Sequence, residues 1–496
     1  MATPDWVQHA VWWQVYPLGF TGAEKAQPAS GGSAPRHRLR HLTGWLDYLL
    51  EMGASGLALG PVFASETHGY DTTDYFKVDP RLGADADFDE LIREARSRGI
   101  GVLLDGVFNH TGRTFAPFAE ALEQGPGAGT AQWFHLDWPR DWKPGTEPAY
   151  RDFEGHHQLV ALNHEEPAVA GFVAGVMKHW LRRGVDGWRL DAAYAVPPAF
   201  WARVLDDVRA EFPDAYFVGE YIHGDYPAEV RGGTLDSVTQ YELWKAIWSS
   251  LSEGNFYELE WALQRHNTFL DTFVPLTFVG NHDVTRIASR LDPAPGQTAS
   301  RLPHALVLLF TLPGTPSVYY GDEQGYRGIK EDRAGGDDDI RPSFPASPDE
   351  LSAVGQPLYR LHRELIGLRR RHAWVHSART RVHSLSNEQL LYEVFDAGNS
   401  LFVALNLADQ AASVPVPNAA GEILAGDGDG GRLDPQSGQL TLPAGGWVVL
   451  AGAAAGDRSR VQAGFRPDPR PRRGSVDHMS YWFLAWGANS RFTSRI

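Results

Sequence analysis

Eight short apolar segments, most ending in polar or charged residues and most separated by helix-patterned stretches, set the strongest constraint on this chain. They run Val11–Tyr16, Gly56–Val62, Gly101–His110, Gly184–Ala192, Tyr216–Glu220, Leu235–Tyr241, Leu276–Asp283 and Ser317–Gly321. Between them, Leu42, Trp45, Leu46, Leu49 and Leu50 mark one face of a helix over Leu39–Met52 that Gly53 closes. Phe88, Leu91, Ile92 and Ala95 mark another, with Asp87 and Glu90 spaced as a capping box and Gly99 suited to a left-handed C-terminal cap. Further helices are expected over Pro167–Arg183, Pro198–Phe212 and His304–Leu312. Strands alternating with helices predict a parallel sheet covered on both sides. An open doubly wound sheet is the alternative, and no Gly-rich dinucleotide or phosphate fingerprint follows the first strand. The expected fold is therefore α/β, a (β/α)8 TIM barrel, whose chemistry lies at the C-terminal ends of the strands.

Two stretches interrupt the alternation. From Thr111 to about Glu166 the chain is rich in Gly, Pro, Trp and His and is too long for a routine loop, so it reads as an inserted small domain after the third strand. Beyond a helix near Leu358–Arg371 come short strands, among them Leu390–Val394, Leu401–Leu405 and Gly446–Leu450, which predict a C-terminal antiparallel β-sandwich. The expected division is barrel over 1–110 and 167–375, insert over 111–166, β-domain over 376–455, and a disordered Arg- and Pro-rich tail over 456–496.

Composition narrows the function. A net charge of −16 disfavours a nucleic-acid partner. The chain has no cysteine, which excludes disulfides and thiolate-bound metals. Met1 to Ala10 lacks a basic region followed by an apolar one, so no secretory signal is expected and the location reads as cytoplasmic. No apolar run reaches the ~20 residues that span a bilayer, so no membrane partner is expected. Seventeen Trp and seventeen Tyr fit either a large aromatic core or a cleft that stacks on sugar faces. The oligomeric state is left open.

Four strand ends carry the chemistry: Asp105 to His110, Arg189 with Asp191, Glu220, and Asn281-His282-Asp283. A barrel brings them to one rim, where clustered acids are costly unless they work. Arg189 and Asp191 alternate onto one face of a strand, and an arginine so placed keeps a carboxylate ionised, as a nucleophile requires. Glu220 follows an apolar strand with no adjacent cation in sequence, which suits a general acid of raised pKa. Asp283 suits a partner for sugar hydroxyls, and His110 and His282 suit donors to them. A divalent metal is the rival occupant, but the acids and histidines lack the i, i+4 spacing of a helical metal site. A single structural role is the rival for each residue taken alone.

Asp105-Gly-Val-Phe-Asn109-His110, Gly187-Trp-Arg189-Leu-Asp191, Val218-Gly-Glu220 and Val279-Gly-Asn281-His282-Asp283 resemble the four motif regions of the α-amylase family of glycoside hydrolases, in the family's order and over about residues 8 to 455. The resemblance implies Asp191 as nucleophile, Glu220 as acid/base and Asp283 as transition-state stabiliser, with Arg189, His110 and His282 around the −1 sugar and Tyr70 as the aromatic platform beneath it. Asp337 and Arg341 match the family's D-x-x-x-R contacts at −2. Leu162-Asn163 resembles the fifth region and points to the neopullulanase and cyclomaltodextrinase branch. Tyr194 and Ala195 stand where typical α-amylases place Lys-His, which argues against starch-type endo-cleavage. Asn109 matches a calcium ligand, but its partners in the insert are not identifiable from sequence. No cofactor is required by the chemistry. The resemblance implies a retaining hydrolase of maltooligosaccharides, cyclodextrins or related α-glucans. A transglycosylase with the same residues is the alternative, and a non-catalytic binding subunit is disfavoured because all three acids are present.

Overall fold

The computed structural model describes residues 3–27, 35–292, 300–333, 335–417, 420–427 and 430–452. Its centre is an eight-stranded parallel sheet, β1 (Trp12–Val15), β2 (Gly56–Leu59), β3 (Gly101–Gly106), β4 (Gly187–Leu190), β5 (Tyr216–Gly219), β6 (Ser237–Val238), β7 (Leu276–Phe278) and β8 (Thr315–Tyr319). The order of pairing is β6-β5-β4-β3-β2-β1-β8-β7. A parallel bridge between Thr239 and Leu276, with Gln240 N–H donating to Leu276 O at 2.9 Å, closes the ring between β6 and β7. Among the described residues this sheet therefore has no open edge, and the fold is the (β/α)8 barrel.

The strands are shorter than their apolar runs, because the chain leaves the ladder just where it must carry the rim. Gly280 shows the constraint: a Cβ there would lie 2.3 Å from Asp322 Oδ2. The helix expected over Leu39–Met52 is instead two helices, Leu39–Thr43 and Leu46–Met52, broken where Trp45 turns fully into the core. The helix expected to start at Asp87 starts at Asp85. Asp87 is its third residue, whose carboxylate accepts the Ala84 N–H at 2.8 Å.

The tryptophans answer the question composition left open. Trp12, Trp13, Trp45, Trp180, Trp188 and Trp201 are among the largest fully buried side chains, so much of the aromatic excess is core. Alternation along β4 sends Trp188 outward onto Phe63 and Phe108 and Arg189 into the barrel. At the opposite end of the barrel Trp12 stacks on Tyr216, and Trp6 packs edge-on against both.

Between β3 and β4 the insert holds a helix, Ala116–Gln124, and a three-stranded sheet in which His156–Ala161 pairs with His110–Thr111 and with Asp152–Phe153. Phe118 packs on Phe134 and Tyr150, Trp133 on Phe172 of the helix Pro167–Arg182, and Trp142 against Gly125, so most of these aromatics tie the insert into the main core. The C-terminal part stacks a five-stranded sheet on a three-stranded one. Leu391, Phe402, Ala404 and Val448 face the second sheet, while Leu390, Tyr392, Val394 and Val403 join the main core. That alternation is the β-sandwich pattern. The tail over 456–496 lies outside the described residues. Among the described residues no helix is long and apolar enough to cross a membrane.

Candidate active site

Strand register builds the site. β4 lies between β3 and β5, with Arg189 opposite Asp105 on one side and Val218 on the other. Asp191 and Glu220 are the next residues after the paired Leu190 and Gly219, so they emerge side by side at the C-terminal rim. Asp191 N–H donates to Gly106 O at 3.0 Å and Glu220 N–H to Leu190 O at 2.9 Å, which extends the ladder far enough to fix both backbones. Ala192 then takes a left-handed φ of 44°, a strained setting for a residue with a Cβ, and this aims its N–H at Glu220 Oε2 at 2.9 Å.

Arg189 is the hub. Its Nη1 donates to Asp105 Oδ1 and Asp191 Oδ1, each at 2.8 Å, and its Nη2 lies 2.7 Å from Glu220 Oε1. Two sequence expectations are corrected here. Glu220 has no cation beside it in sequence, but it has one in space. Asp191 does not have Arg189 to itself: burial, with the carboxylates of Glu220, Asp105 and Asp283, raises its carboxyl well above the ordinary range despite the guanidinium. One cation among three buried acids leaves the group short of positive charge. Asp105 is the acid that sequence reasoning left out of the count. It holds Arg189 through both oxygens and also accepts the Tyr70 hydroxyl at 3.0 Å. Its signal was its position in the third strand, in register with Arg189.

Across the rim, the β7 loop carries Asn281, His282 and Asp283. Asp283 accepts from Arg341 Nη2 and from His282 Nε2, both at 2.9 Å. Burial would raise its carboxyl, but the His282 ring and the Arg341 guanidinium outweigh it and hold the group well below the usual carboxylate range. Gln14 Nε2 lies 3.3 Å from His282 Nδ1, which leaves Nε2 to carry the ring proton. The Tyr70 hydroxyl also touches His282 Nε2. The His282 ring lies parallel between Tyr70 at 5.4 Å and Tyr16 at 6.2 Å, and the Arg341 guanidinium caps Tyr16 at 4.7 Å. Tyr16, at the end of β1, was missed in the sequence, where it read only as the last residue of a buried strand.

His110 is buried, with Nε2 on Tyr70 O at 3.0 Å and its ring stacked on Phe153 of the insert at 4.6 Å. Burial pushes it down to about 3, so it is neutral across the working range. Asp337 pairs with Arg341 Nη2 at 3.0 Å and with Lys330 at 3.5 Å. The structure thus brings Asp191, Glu220, Asp283, Arg189, His282, Tyr70, Arg341 and Asp337 into one linked set and places His110 against its edge. Tyr194 lies half-exposed on the rim, its hydroxyl donating to Glu154 of the insert at 2.9 Å. Asn109 Nδ2 meets His110 Nδ1 at 3.1 Å and its carbonyl accepts Leu162 N–H at 3.0 Å. Among the described residues no three His, Cys, Asp or Glu side chains gather as metal ligands.

Four carboxylates and a guanidinium on the C-terminal rim of a closed parallel barrel have the layout of a barrel glycoside hydrolase. Residues 14–353 match the family of the alpha amylase catalytic domain. The chain belongs to the α-amylase family and is a glycoside hydrolase. It is 30% identical over 478 residues to a cyclomaltodextrinase of Geobacillus thermopakistaniensis, covering 90% of this chain and 78% of that one. It is 33% identical over 385 residues to a maltogenic alpha-amylase of Bacillus acidopullulyticus, covering 74% of this chain and 63% of that one. Among solved structures, the cyclic alpha-maltosyl-(1→6)-maltose hydrolase of Arthrobacter globiformis superposes with a TM-score of 0.74 at 26% identity, over 92% of this chain and all of that one. The native Nostoc punctiforme debranching enzyme gives 0.75 at 28%, over 91% and 99%.

Proposed function

We propose that the protein hydrolyses α-glucosidic bonds of maltooligosaccharides, cyclodextrins or related short α-glucans with retention of configuration. The observation that carries this is the anchoring of Asp191 and Glu220 on the two nitrogens of one Arg189 fork. Retention needs two carboxyl groups only ~5 Å apart, without the gap that an inverting enzyme leaves for water. Asp191 attacks the anomeric carbon while Glu220 gives its proton to the departing glycosidic oxygen, forming a glycosyl-enzyme ester. Glu220, now ionised, takes a proton from water as the water oxygen attacks that carbon and frees Asp191. Asp283, ionised opposite the pair, holds sugar hydroxyls and stabilises the oxocarbenium-like transition state. Tyr70, stacked on His282, forms the wall under the −1 sugar, and His110 supports it through the Tyr70 carbonyl. Arg341 and Asp337 hold the next sugar at −2.

The short-substrate preference rests on the acceptor side. Tyr194 stands there with its hydroxyl already engaged by Glu154, and neither it nor Ala195 offers a cation to a long chain. The relatives' names agree, and Bacillus subtilis has one called an intracellular maltogenic amylase, 28% identical over 343 residues. We place this chain in the cytoplasm on the same ground, with the barrel over 1–110 and 167–375, the insert over 111–166 and the β-domain over 376–455.

The test is a side-by-side comparison of kcat/KM on maltotriose to maltohexaose, cyclodextrins and soluble starch, with and without chelator. Higher values on the short and cyclic substrates, unaffected by chelator, are expected. Preference for starch, with activity abolished by chelator and restored by calcium, would overturn the reading. Products longer than maltotriose would identify a transglycosylase.

A further inference from the structure

Among the described residues, Tyr241 is a buried side chain that reaches Glu220 and has no part in the chemistry above. It lies just past β6 and opens the helix Tyr241–Glu253, where the Gln240 side chain caps by accepting Leu243 N–H. Its ring is wedged edge-on against Phe278 at 4.9 Å and Trp244 at 5.7 Å. Gln240 also makes the backbone bond that closes the barrel, so the ring is fixed by the closure itself.

The direction of its hydrogen bond follows from its neighbours. Asp283 N–H donates to Asn281 Oδ1 at 2.9 Å, which fixes the amide. Asn281 Nδ2 then faces the Tyr241 oxygen at 2.8 Å and can only donate. The phenol's single proton is left for Glu220 Oε1, at 3.3 Å. Burial, with Glu220 and Asp283 nearby, pushes the Tyr241 hydroxyl well above its ordinary value, so it remains a donor at every working pH.

We infer that Tyr241 is a positioning residue that sets which oxygen of Glu220 carries the catalytic proton and how tightly it is held. This rests on the assignment of Glu220 as the acid/base. Oε1 lies 2.7 Å from the Arg189 Nη2 cation and accepts from Tyr241, both of which favour negative charge on that oxygen, while Oε2 meets the Ala192 N–H and no cation among the described residues. The proton that protonates the leaving oxygen therefore sits on Oε2, and the relay Asp283–Asn281–Tyr241–Glu220 ties the acid to the stabiliser across the barrel mouth. The other groups that interact with Glu220 are Arg189 on β4, Asp191 just past it and Tyr194 in the loop that follows, while Asp105 on β3 acts on the same Arg189 and Asp191, and Asp283 in the β7 loop acts on Asp191.

Tyr241 donates to the ionised carboxylate, so its loss makes Glu220 hold its proton to higher pH. In Tyr241→Phe the basic limb of kcat/KM on a maltooligosaccharide should move up by roughly one pH unit, the size expected for one hydrogen bond to a charged group. Replacing Tyr241 with 3-fluorotyrosine, a stronger donor of the same shape, should move it down. A purely structural tyrosine would leave both limbs where they are, and coincidence of all three profiles would overturn the inference. Glu220→Gln, run on an activated aryl maltoside, separates this from the underlying assignment. If it retains the basic limb, the acid is another group and the reading of Glu220 fails. If it loses the limb and Tyr241→Phe does not shift it, only the role of Tyr241 fails.

Discussion

Glu323→Gln should make the protein more stable at neutral and alkaline pH and less stable in acid. Glu323 lies in the turn after β8, fully buried, with Oε1 accepting the Tyr48 hydroxyl at 3.0 Å and Oε2 accepting Gly321 N–H at 2.9 Å. Among the described residues no cation pairs with it, and the neighbouring Asp322 spends its Oδ1 on Arg286 at 2.8 Å. Burial therefore pushes its carboxyl from 4.5 up to about 7. An acid whose folded value exceeds its unfolded one stabilises the fold fully below the unfolded value and loses that contribution as pH rises through the folded one. At about 1.4 kcal/mol per pH unit, the interval comes to about 3 kcal/mol, surrendered between roughly pH 4.5 and 7. Glutamine is neutral throughout but offers one acceptor to two donors, at a cost of about 1 kcal/mol. The variant should thus be about 2 kcal/mol more stable near pH 8 and about 1 kcal/mol less stable near pH 4.5, with the curves crossing between. Urea midpoints followed by tryptophan fluorescence across that range measure the difference directly. A difference that does not change with pH would refute the argument.

Asp191→Asn and Glu220→Gln should each lower turnover by several orders of magnitude with near-native melting temperatures, and near-normal activity in either would overturn its role. Because burial raises the Asp191 carboxyl and the nucleophile must be ionised, kcat/KM should fall on acidification at a pH above the ordinary aspartate range; a limb at or below that range would contradict it. Asp283, held low by His282 and Arg341, should contribute no limb of its own. Arg189→Lys keeps the charge but loses the fork, so kcat should fall on the order of a hundredfold, checked by steady-state kinetics beside circular dichroism.

The barrel and the four strand ends could be read from the sequence because both are local signals. An apolar run that stops at a carboxylate or histidine is visible without knowing what lies beside it. What the sequence hid was lateral. Arg189 reads as the partner of Asp191, two residues on, and only the register of β3 against β4 reveals Asp105 as its bidentate partner. Glu220 looks isolated from cations for the same reason. Tyr16 and Tyr241 look like strand-end aromatics until the closed ring sets one on His282 and the other on Glu220. The break at Trp45 was hidden because Leu42, Leu46 and Leu49 keep helical spacing through it.

The stacked rings of Tyr16, His282 and Tyr70 also bear on how the protein comes into being. Gln14, two residues before Tyr16, reaches His282 across 268 residues of chain, and Tyr70 reaches the same ring across 212. Contacts of such separation carry a loop-closure cost that local helices cannot offset early, so they form late. During synthesis, when the first strands emerge long before the last, the chain holds Tyr16, Tyr70, Asp191 and Glu220 before His282 arrives to complete the wall that faces the acids. Catalytic competence is therefore a late event in biogenesis, and regain of activity after dilution from denaturant should trail the recovery of helical signal.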